Sequence, residues 1–143
     1  MTITVNVETE WKGEEFTERA EKAAEAGLGR VAALGADLAA QSMPGSGATA
    51  VPGPTGRLVY TPSAPGQPPG VRTNRLRGSL TWDRLGRLRA GFGTNVRYGR
   101  FLEEGTSRMA ARPYLKVAAH RLKSRAQKEF AKGMARALAR GSR

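Results

Sequence analysis

The chain has 143 residues, of which 39% are hydrophobic and 25% charged, and its formal net charge is +12. This length suits one domain with a single core. The absence of cysteine excludes disulfides and thiolate chemistry, and no apolar run is long enough to predict a membrane span or, near the N-terminus, a signal peptide.

The first 41 residues predict a strand followed by a long helix. Residues 2–8 alternate polar and β-branched apolar side chains, which indicates a half-buried strand. From about residue 14 the apolar period becomes helical. One face carries Phe16, Ala20, Ala23, Gly27, Val31, Leu34 and Leu38. The opposite face carries an acidic stripe of Glu14, Glu18, Glu21 and Glu25. Gly27, Gly29 and Gly35 predict a bend or close packing.

Residues 43–72 form a Pro/Gly-rich arm or loop. They hold seven of the eight prolines and six glycines, a composition that excludes a long helix or a central strand. Residues 57–60 predict at most a brief strand. Two interpretations stay open: an arm that becomes ordered against a neighbour, and a plain linker.

The next stretch predicts one helical turn at residues 73–80 and then a β-hairpin. Two alternating runs, 80–85 and 88–94, flank Gly86-Arg87 as a two-residue turn. Trp82 and Phe92 are expected on the apolar face. Gly91 and Gly93 would weaken the second strand or mark a bulge in it.

Two helices complete the predicted fold. A short amphipathic helix at 97–104 stops at Gly105, and Pro113 opens a long final helix that runs to about Arg140. Tyr98, Phe101 and Leu102, at i, i+3 and i+4, are expected to reach the core. Residues 1–143 thus predict one α+β domain: a small antiparallel sheet flanked by a long N-terminal helix, a short helix and a long C-terminal helix.

Charge is divided unevenly along the chain, with a net of −4 in residues 1–42 and +14 in residues 73–143. The final helix carries a basic stripe about 150° from its apolar face: Arg121, Arg125, Lys128, Lys132 and Arg136. We consider three interpretations. The stripe is a solvated face, a surface for DNA phosphates without base stacking, or a contact for an acidic surface on another protein or another copy.

The residues do not assemble a catalytic constellation, and we predict neither an enzyme nor a cofactor. The single histidine, His120, lies in the final helix, and no second histidine, cysteine or carboxylate cluster offers a metal site. Glu103 and Glu104 point about 100° apart, so we interpret them as surface ion-pair partners of Arg100 and Arg108 rather than an acid/base pair.

Two motifs resemble a known family. Tyr98 to Thr106 reads Y-x-x-F-L-E-x-G-T and is followed by A-R-P-Y-L at residues 111–115; upstream, the Pro/Gly stretch runs into T-x-x-L-x-x-S at residues 73–79. This order is similar to the neck and tail-completion proteins of long-tailed bacteriophages, the family that includes the minor tail protein Z of phage lambda. The residues that match the motif are Tyr98, Phe101, Leu102, Glu103, Gly105, Thr106, Arg112, Pro113, Tyr114 and Leu115. Tyr114 stands where phenylalanine is more usual.

The resemblance implies a structural virion protein at the head–tail joint. Its implied form is a ring, expected to be a hexamer, that contacts a head-side stopper or connector, the tail-tube protein and the tape-measure protein while DNA passes through the lumen. It implies a location in the virion neck or tail, with assembly in the host cytoplasm and no membrane. A tail terminator, an assembly factor and a non-specific DNA-binding protein are the alternatives.

The two charged stripes suggest how such a ring would close. A ring needs heterologous contacts, in which one surface of each subunit meets a different surface of the next. We therefore hypothesise that the acidic stripe of one copy contacts the basic stripe of another.

Overall fold

The computed structural model describes residues 1–6, 17–44, 51–52, 55, 58–59 and 62–140. They form an α+β fold, as predicted. The elements in chain order are β1 (Thr2–Asn6), α1 (Thr17–Ser42), β2 (Val51–Pro52), β3 (Leu58–Val59), α2 (Arg75–Gly78), β4 (Thr81–Gly86), β5 (Arg89–Gly93), α3 (Arg97–Glu104), α4 (Leu115–Lys123) and α5 (Ala126–Arg140).

The main sheet is antiparallel, with β5 between β1 and β4. The predicted N-terminal strand is present as β1, and its last two predicted positions, Val7 and Glu8, lie outside the described residues. Phe92 in β5 is fully buried, whereas every residue of β4 is exposed. The middle strand therefore carries the core, because α1 packs against it and both its edges are paired, while β4 borders solvent.

The predicted β-hairpin is confirmed, but its turn is one residue later than expected. The turn residues are Arg87 and Leu88, and Leu88 has a φ of 51°. The pairing shifts between Arg84 and Gly86, which leaves Leu85 as the extra residue of a β-bulge. From the sequence we allowed for a bulge at Gly91 or Gly93 in β5, whereas the bulge lies in β4. An added residue there moves the turn while both strands keep their apolar register.

Helix α1 is continuous, and its glycines serve close packing rather than a bend. A Cβ added at Gly35 would overlap the Phe92 ring, and one at Gly27 would lie 2.7 Å from the Phe130 ring. Large aromatic side chains from β5 and α5 thus occupy the space that α1 leaves at its glycines. The ~1 kcal/mol helix cost of each glycine is offset by this burial.

The C-terminal region is two helices, whereas the sequence predicted one. Helix α4 ends at Lys123 and α5 begins at Ala126. At the break, the Ser124 hydroxyl donates to the Arg121 carbonyl at 3.2 Å, and the Arg125 amide donates to the Leu122 carbonyl at 2.9 Å. A serine hydroxyl that bonds a helix carbonyl competes with the backbone hydrogen bonds of the helix, which favours an interruption here. Both helices pack against α1.

Part of the Pro/Gly-rich segment is held by hydrogen bonds to other parts of the same chain. The brief strand predicted at 57–60 is present as β3, which pairs with β2. Further on, the Gly66 amide donates to the Ala111 carbonyl at 2.9 Å, and the Arg112 Nε donates to the Ser63 carbonyl at 3.0 Å. Residues 62–72 therefore form one wall beside α2 and α3.

Candidate interaction surface

Helix α3 turns its largest apolar side chains outward. Phe101 is 54% exposed and Tyr98 is 39% exposed, so the prediction that they reach the core is wrong, whereas Leu102 packs against the core as predicted. The buried residues of α3 are Gly99 and Glu103. A Cβ at Gly99 would lie 2.7 Å from the Tyr114 hydroxyl. Glycine thus allows α3 to lie directly on the core, and this contact fixes the rotation of the helix.

Glu103 is fully buried, which corrects its interpretation as a surface ion-pair partner. Its carboxylate accepts backbone amide bonds from Tyr114 at 2.7 Å, Leu115 at 2.9 Å and Lys116 at 2.8 Å. These are amide groups at the start of α4 that have no partner within the helix. A carboxylate there is stabilised by charge-assisted hydrogen bonds and by the positive end of the helix dipole.

Glu104 behaves as predicted. Its carboxylate accepts a hydrogen bond from Arg100 Nε at 2.9 Å on the exposed side of α3. This bond and the charge of Glu104 raise the pKa of Arg100 above its ordinary value. Two neighbouring glutamates therefore have different roles, because one faces the start of α4 and the other faces solvent.

The turn between α3 and α4 folds back on α3 and brings Glu103 to its partners. Gly105 has a φ of 78°, and a Cβ there would lie 2.8 Å from the Ala111 amide nitrogen. Thr106 and Met109 exchange backbone bonds of 2.8 and 3.2 Å, and the Arg112 amide donates to the Leu102 carbonyl at 2.6 Å. The motif residues that resembled the phage family thus form a clamp between two helices.

Tyr114 lies beneath this clamp and is fully buried. Its hydroxyl has no hydrogen-bond partner among the described residues. Burial, followed by the nearby Glu103 and Tyr98, raises the pKa of Tyr114 well above its ordinary value of 10.0. The phenol is therefore neutral at physiological pH and acts as a packing group.

A groove lies between residues 62–77 and the outer side of α3. Its volume is about 470 Å³, within the range of pockets that bind ligands. Apolar side chains form the floor, and arginines surround it. The floor residues include Met43, Val71, Leu76, Leu102 and Met109, with Tyr98 at the wall. The arginines are Arg72, Arg75, Arg77 and Arg112.

Two glutamates of the acidic stripe are paired inside the chain. Glu21 bonds to Arg87, and Glu25 bonds to Arg84 at 3.1 Å, so both contact the β4–β5 hairpin. Glu18 is exposed, and Glu14 lies outside the described residues. Sequence reasoning missed these hairpin arginines, because 59 and 66 residues separate the partners and no local pattern links them.

The basic stripe is exposed along its length. One member, Lys132, bonds to Glu129 at 2.7 Å. Glu129 also binds Arg30 of α1 at 2.7 Å, and these two hydrogen bonds, first that of Lys132, lower the pKa of Glu129. Within the described residues, the ion pairs involve none of the other four members of the stripe.

Other kinds of site find little support in the described part of the chain. His120 is exposed on α4. Across residues 1–6, 17–44 and 62–140 and the short pieces between them, no group of three or more histidine or carboxylate side chains is placed to hold a metal ion. None of the helices described there is long and apolar enough to cross a membrane.

A clamped helix that presents two aromatic side chains is typical of a domain that binds other proteins. The comparison with protein families agrees with this class. The matching family is HK97-gp10-like, described as "Bacteriophage HK97-gp10, putative tail-component", and the match covers residues 8–105. The chain belongs to this family of phage tail components. It is thus a structural protein of the virion tail, and the resemblance seen in the sequence is confirmed. Curated proteins and solved structures give no match.

The family match includes Tyr98, Phe101 and Glu103 but ends at Gly105. The partners of Glu103 at the start of α4 lie beyond this limit. The clamp therefore joins the matched region to the C-terminal helices.

Proposed function

We propose that this tail component acts at the head–tail interface, where it joins or completes the tail as a subunit of a ring, with six copies as the expected number. The observation that carries the proposal is the exposure of Tyr98 and Phe101 on α3. Aromatic side chains are enriched where proteins meet, because they bury a large apolar area at a small cost in conformational entropy. The clamp below α3 holds these two side chains in place for such a contact.

The proposed partners are other copies of the chain, a head-side stopper or connector, the tail-tube protein and the tape-measure protein. DNA would pass through the lumen without sequence-specific contacts. Heterologous contacts close such a ring. The basic stripe offers one side of the contact, and Glu18, together with Glu14, offers the other.

The two paired glutamates of the acidic stripe have a second role in this proposal. Glu21 and Glu25 bind Arg87 and Arg84 of the hairpin. Reversing their charge would disturb the hairpin as well as a contact between copies. Glu18→Lys is therefore the informative variant for the contact, because no ion pair of the described residues includes Glu18.

The test is electron microscopy of particles from the source phage after deletion of the gene. Filled heads beside separate tails of normal length would support the head–tail role, and tails of uncontrolled length would favour a terminator. Normal infectious particles would contradict both. Antibody labelling of wild-type particles distinguishes a resident subunit from an assembly factor, because an assembly factor leaves no label at the neck.

Non-specific DNA binding is the second candidate function. Arg121, Arg125, Lys128 and Arg136 are exposed and lie outside the ion pairs of the described residues. If these four side chains each neutralise a phosphate, the affinity for duplex DNA should fall about 100-fold between 50 and 200 mM salt. Fluorescence anisotropy with a short duplex measures this dependence. A purified chain without measurable affinity at 50 mM salt would exclude this function.

A further inference from the structure

The groove beside α3 combines an apolar floor with a positively charged rim. Its floor is apolar and includes two methionines, Met43 and Met109, whose flexible side chains adapt to varied apolar partners. Its rim carries four arginines, and no aspartate or glutamate is among the residues that line it. A concave apolar floor within a positive rim is complementary to an apolar side chain flanked by carboxylates.

We propose that this groove binds an acidic segment of another virion protein that carries an apolar side chain. The apolar side chain lies on the floor, against Leu102 and the ring of Tyr98. The flanking carboxylates bind Arg75 and Arg77. That the partner is a virion protein rests on the proposed function. The preference of the groove for an acidic segment with an apolar side chain does not depend on that function.

The arginines of α2 are well suited to this role. Arg75 and Arg77 are exposed, and the ion pairs of the described residues include neither of them. Guanidinium groups bind carboxylates with two parallel hydrogen bonds, which fixes the direction of the partner as well as its charge. Arg112 on the other side already donates to the Ser63 carbonyl, so it holds the wall of the groove.

The apolar floor favours a protein segment over a nucleic acid. Surfaces that bind the phosphate backbone are polar and strongly positive, and single-stranded nucleic acid needs several aromatic platforms for its bases. Tyr98 is the one aromatic residue among the residues that line the groove. Side chains such as Met43 and Val71 gain more from burying an aliphatic or aromatic side chain than from facing a phosphate.

The first experiment measures the binding of a fluorescein-labelled peptide to the purified full chain. The probe has a central Leu-Phe pair with two glutamates on each side. Two control peptides replace the glutamates by glutamine or the Leu-Phe pair by serine, and a short oligothymidine tests nucleic acid. We expect the probe to bind about tenfold more tightly than either control peptide. No binding of the probe, equal binding of a control peptide, or tighter binding of oligothymidine would each overturn the proposal.

Matched variants locate the site. Arg75→Glu with Arg77→Glu should weaken binding of the probe about tenfold or more. Lys123→Glu with Arg140→Glu makes the same change of charge on α4 and α5, at exposed residues that do not line the groove, and should change binding less than about twofold. Equal losses from the two double variants would mean that net charge alone attracts the peptide, and the groove would be excluded.

The partner is identified in assembled particles. A photo-crosslinking phenylalanine analogue in place of Tyr98 should join the chain to a peptide that is acidic and apolar and comes from a different virion protein. A crosslink to a second copy or to DNA would contradict the proposal.

The outcomes of these experiments distinguish the groove proposal from the proposed head–tail role. Peptide binding with normal particles after gene deletion would refute the head–tail role alone, and defective particles without peptide binding would refute the groove alone.

Discussion

The most informative residue of the structure is Glu103, whose carboxylate binds three backbone amides at the start of α4. Burial of a charged carboxylate is unfavourable unless hydrogen bonds replace its hydration. Here three donors and the helix dipole supply that replacement, and no ion pair of the described residues includes Glu103. A short polar side chain at the helix start would cap one amide, whereas this glutamate comes from another helix and ties the two helices together.

The first prediction concerns this tie. Glu103→Ala should lower the free energy of unfolding by about 2–4 kcal/mol, because three amides lose their acceptor in a buried site. Glu104→Ala is the matched control and should change it by less than about 0.5 kcal/mol, since its pair with Arg100 is exposed. Urea denaturation monitored by circular dichroism measures both. Equal effects of the two variants would contradict the assigned role of Glu103.

The second prediction concerns the buried phenol of Tyr114, whose hydroxyl lacks a partner among the described residues. Tyr114→Phe removes a buried polar group that makes no hydrogen bond, so the free energy of unfolding should stay unchanged or rise by up to about 1 kcal/mol. Thermal denaturation of the two proteins measures the difference. A loss of more than about 1 kcal/mol would mean that the hydroxyl binds a group such as a buried water.

At the scale of elements, the crossing of α1 and α5 depends on two glycines. A Cβ at Gly133 would lie 2.8 Å from the Gly27 Cα, so the two helix backbones approach directly. Helices normally pack 8–10 Å apart according to the side chains between them. Glycines at the crossing shorten this distance and let Phe130 cover α1. Small residues thus replace bulky ones as the basis of packing in a chain with few aromatic residues.

Gly133→Ala tests the crossing, and it should lower the free energy of unfolding by about 1–3 kcal/mol. Helix propensity alone would predict a gain of about 1 kcal/mol from the same change. Gly78→Ala is the control, because a Cβ added there has no atom within 4 Å; it should be neutral or slightly stabilising. Denaturant unfolding compares the three proteins. A stabilised Gly133→Ala variant would refute the close approach.

Glu129 links α1 to α5 and makes this contact sensitive to pH. Its pKa is lowered from the ordinary 4.5 in the folded protein by Lys132 and Arg30. The folded state therefore gains stability when the carboxylate is ionised, above about pH 4.5, and loses that gain as the pH falls through the lower, folded-state pKa. Glu129→Gln should be less stable than the wild type at pH 7, and the difference should vanish under strongly acidic conditions. Thermal denaturation across pH 2–7 measures it; a constant difference would exclude ionic pairing as its cause.

The elements that were predictable from the sequence are those specified by local periodicity. The alternation of residues 2–6, the helical period of α1 and the two runs of the hairpin predict β1, α1 and the β4–β5 pair, and all of these elements form. Burial follows the pattern in α1 and β5, whereas β4 is exposed. Phe101 and Glu103 illustrate what local pattern omits. Which face of α3 is buried depends on Gly99 and Tyr114, which meet only in the folded chain. An apolar side chain at i, i+3 or i+4 fits an interface between proteins as well as a core, and the period alone does not distinguish them.

At the scale of the whole molecule, the small core and the exposed aromatic residues point to assembly. The buried side chains of α1 are mostly alanine and glycine, which bury little apolar area per residue. Apolar side chains such as Phe101 and Trp82 remain on the surface. A partner protein that covers them stabilises the folded chain.

The last prediction distinguishes a surface for assembly from an exposed residue without a role. Phe101→Ser should leave thermal stability of the isolated chain nearly unchanged, because more than half of the side chain is exposed. It should nevertheless reduce incorporation into particles and infectious titre, since loss of a central aromatic contact costs about 2 kcal/mol, or about 30-fold in affinity. Leu138→Ser on α5 is the control, as Leu138 is also an exposed apolar residue, and it should preserve both. Complementation of the gene deletion, with quantitative immunoblots of purified particles, measures both variants. Equal titres for Phe101→Ser and the wild type would exclude this face of α3 from assembly, because the contact would then be neither buried nor required in the particle.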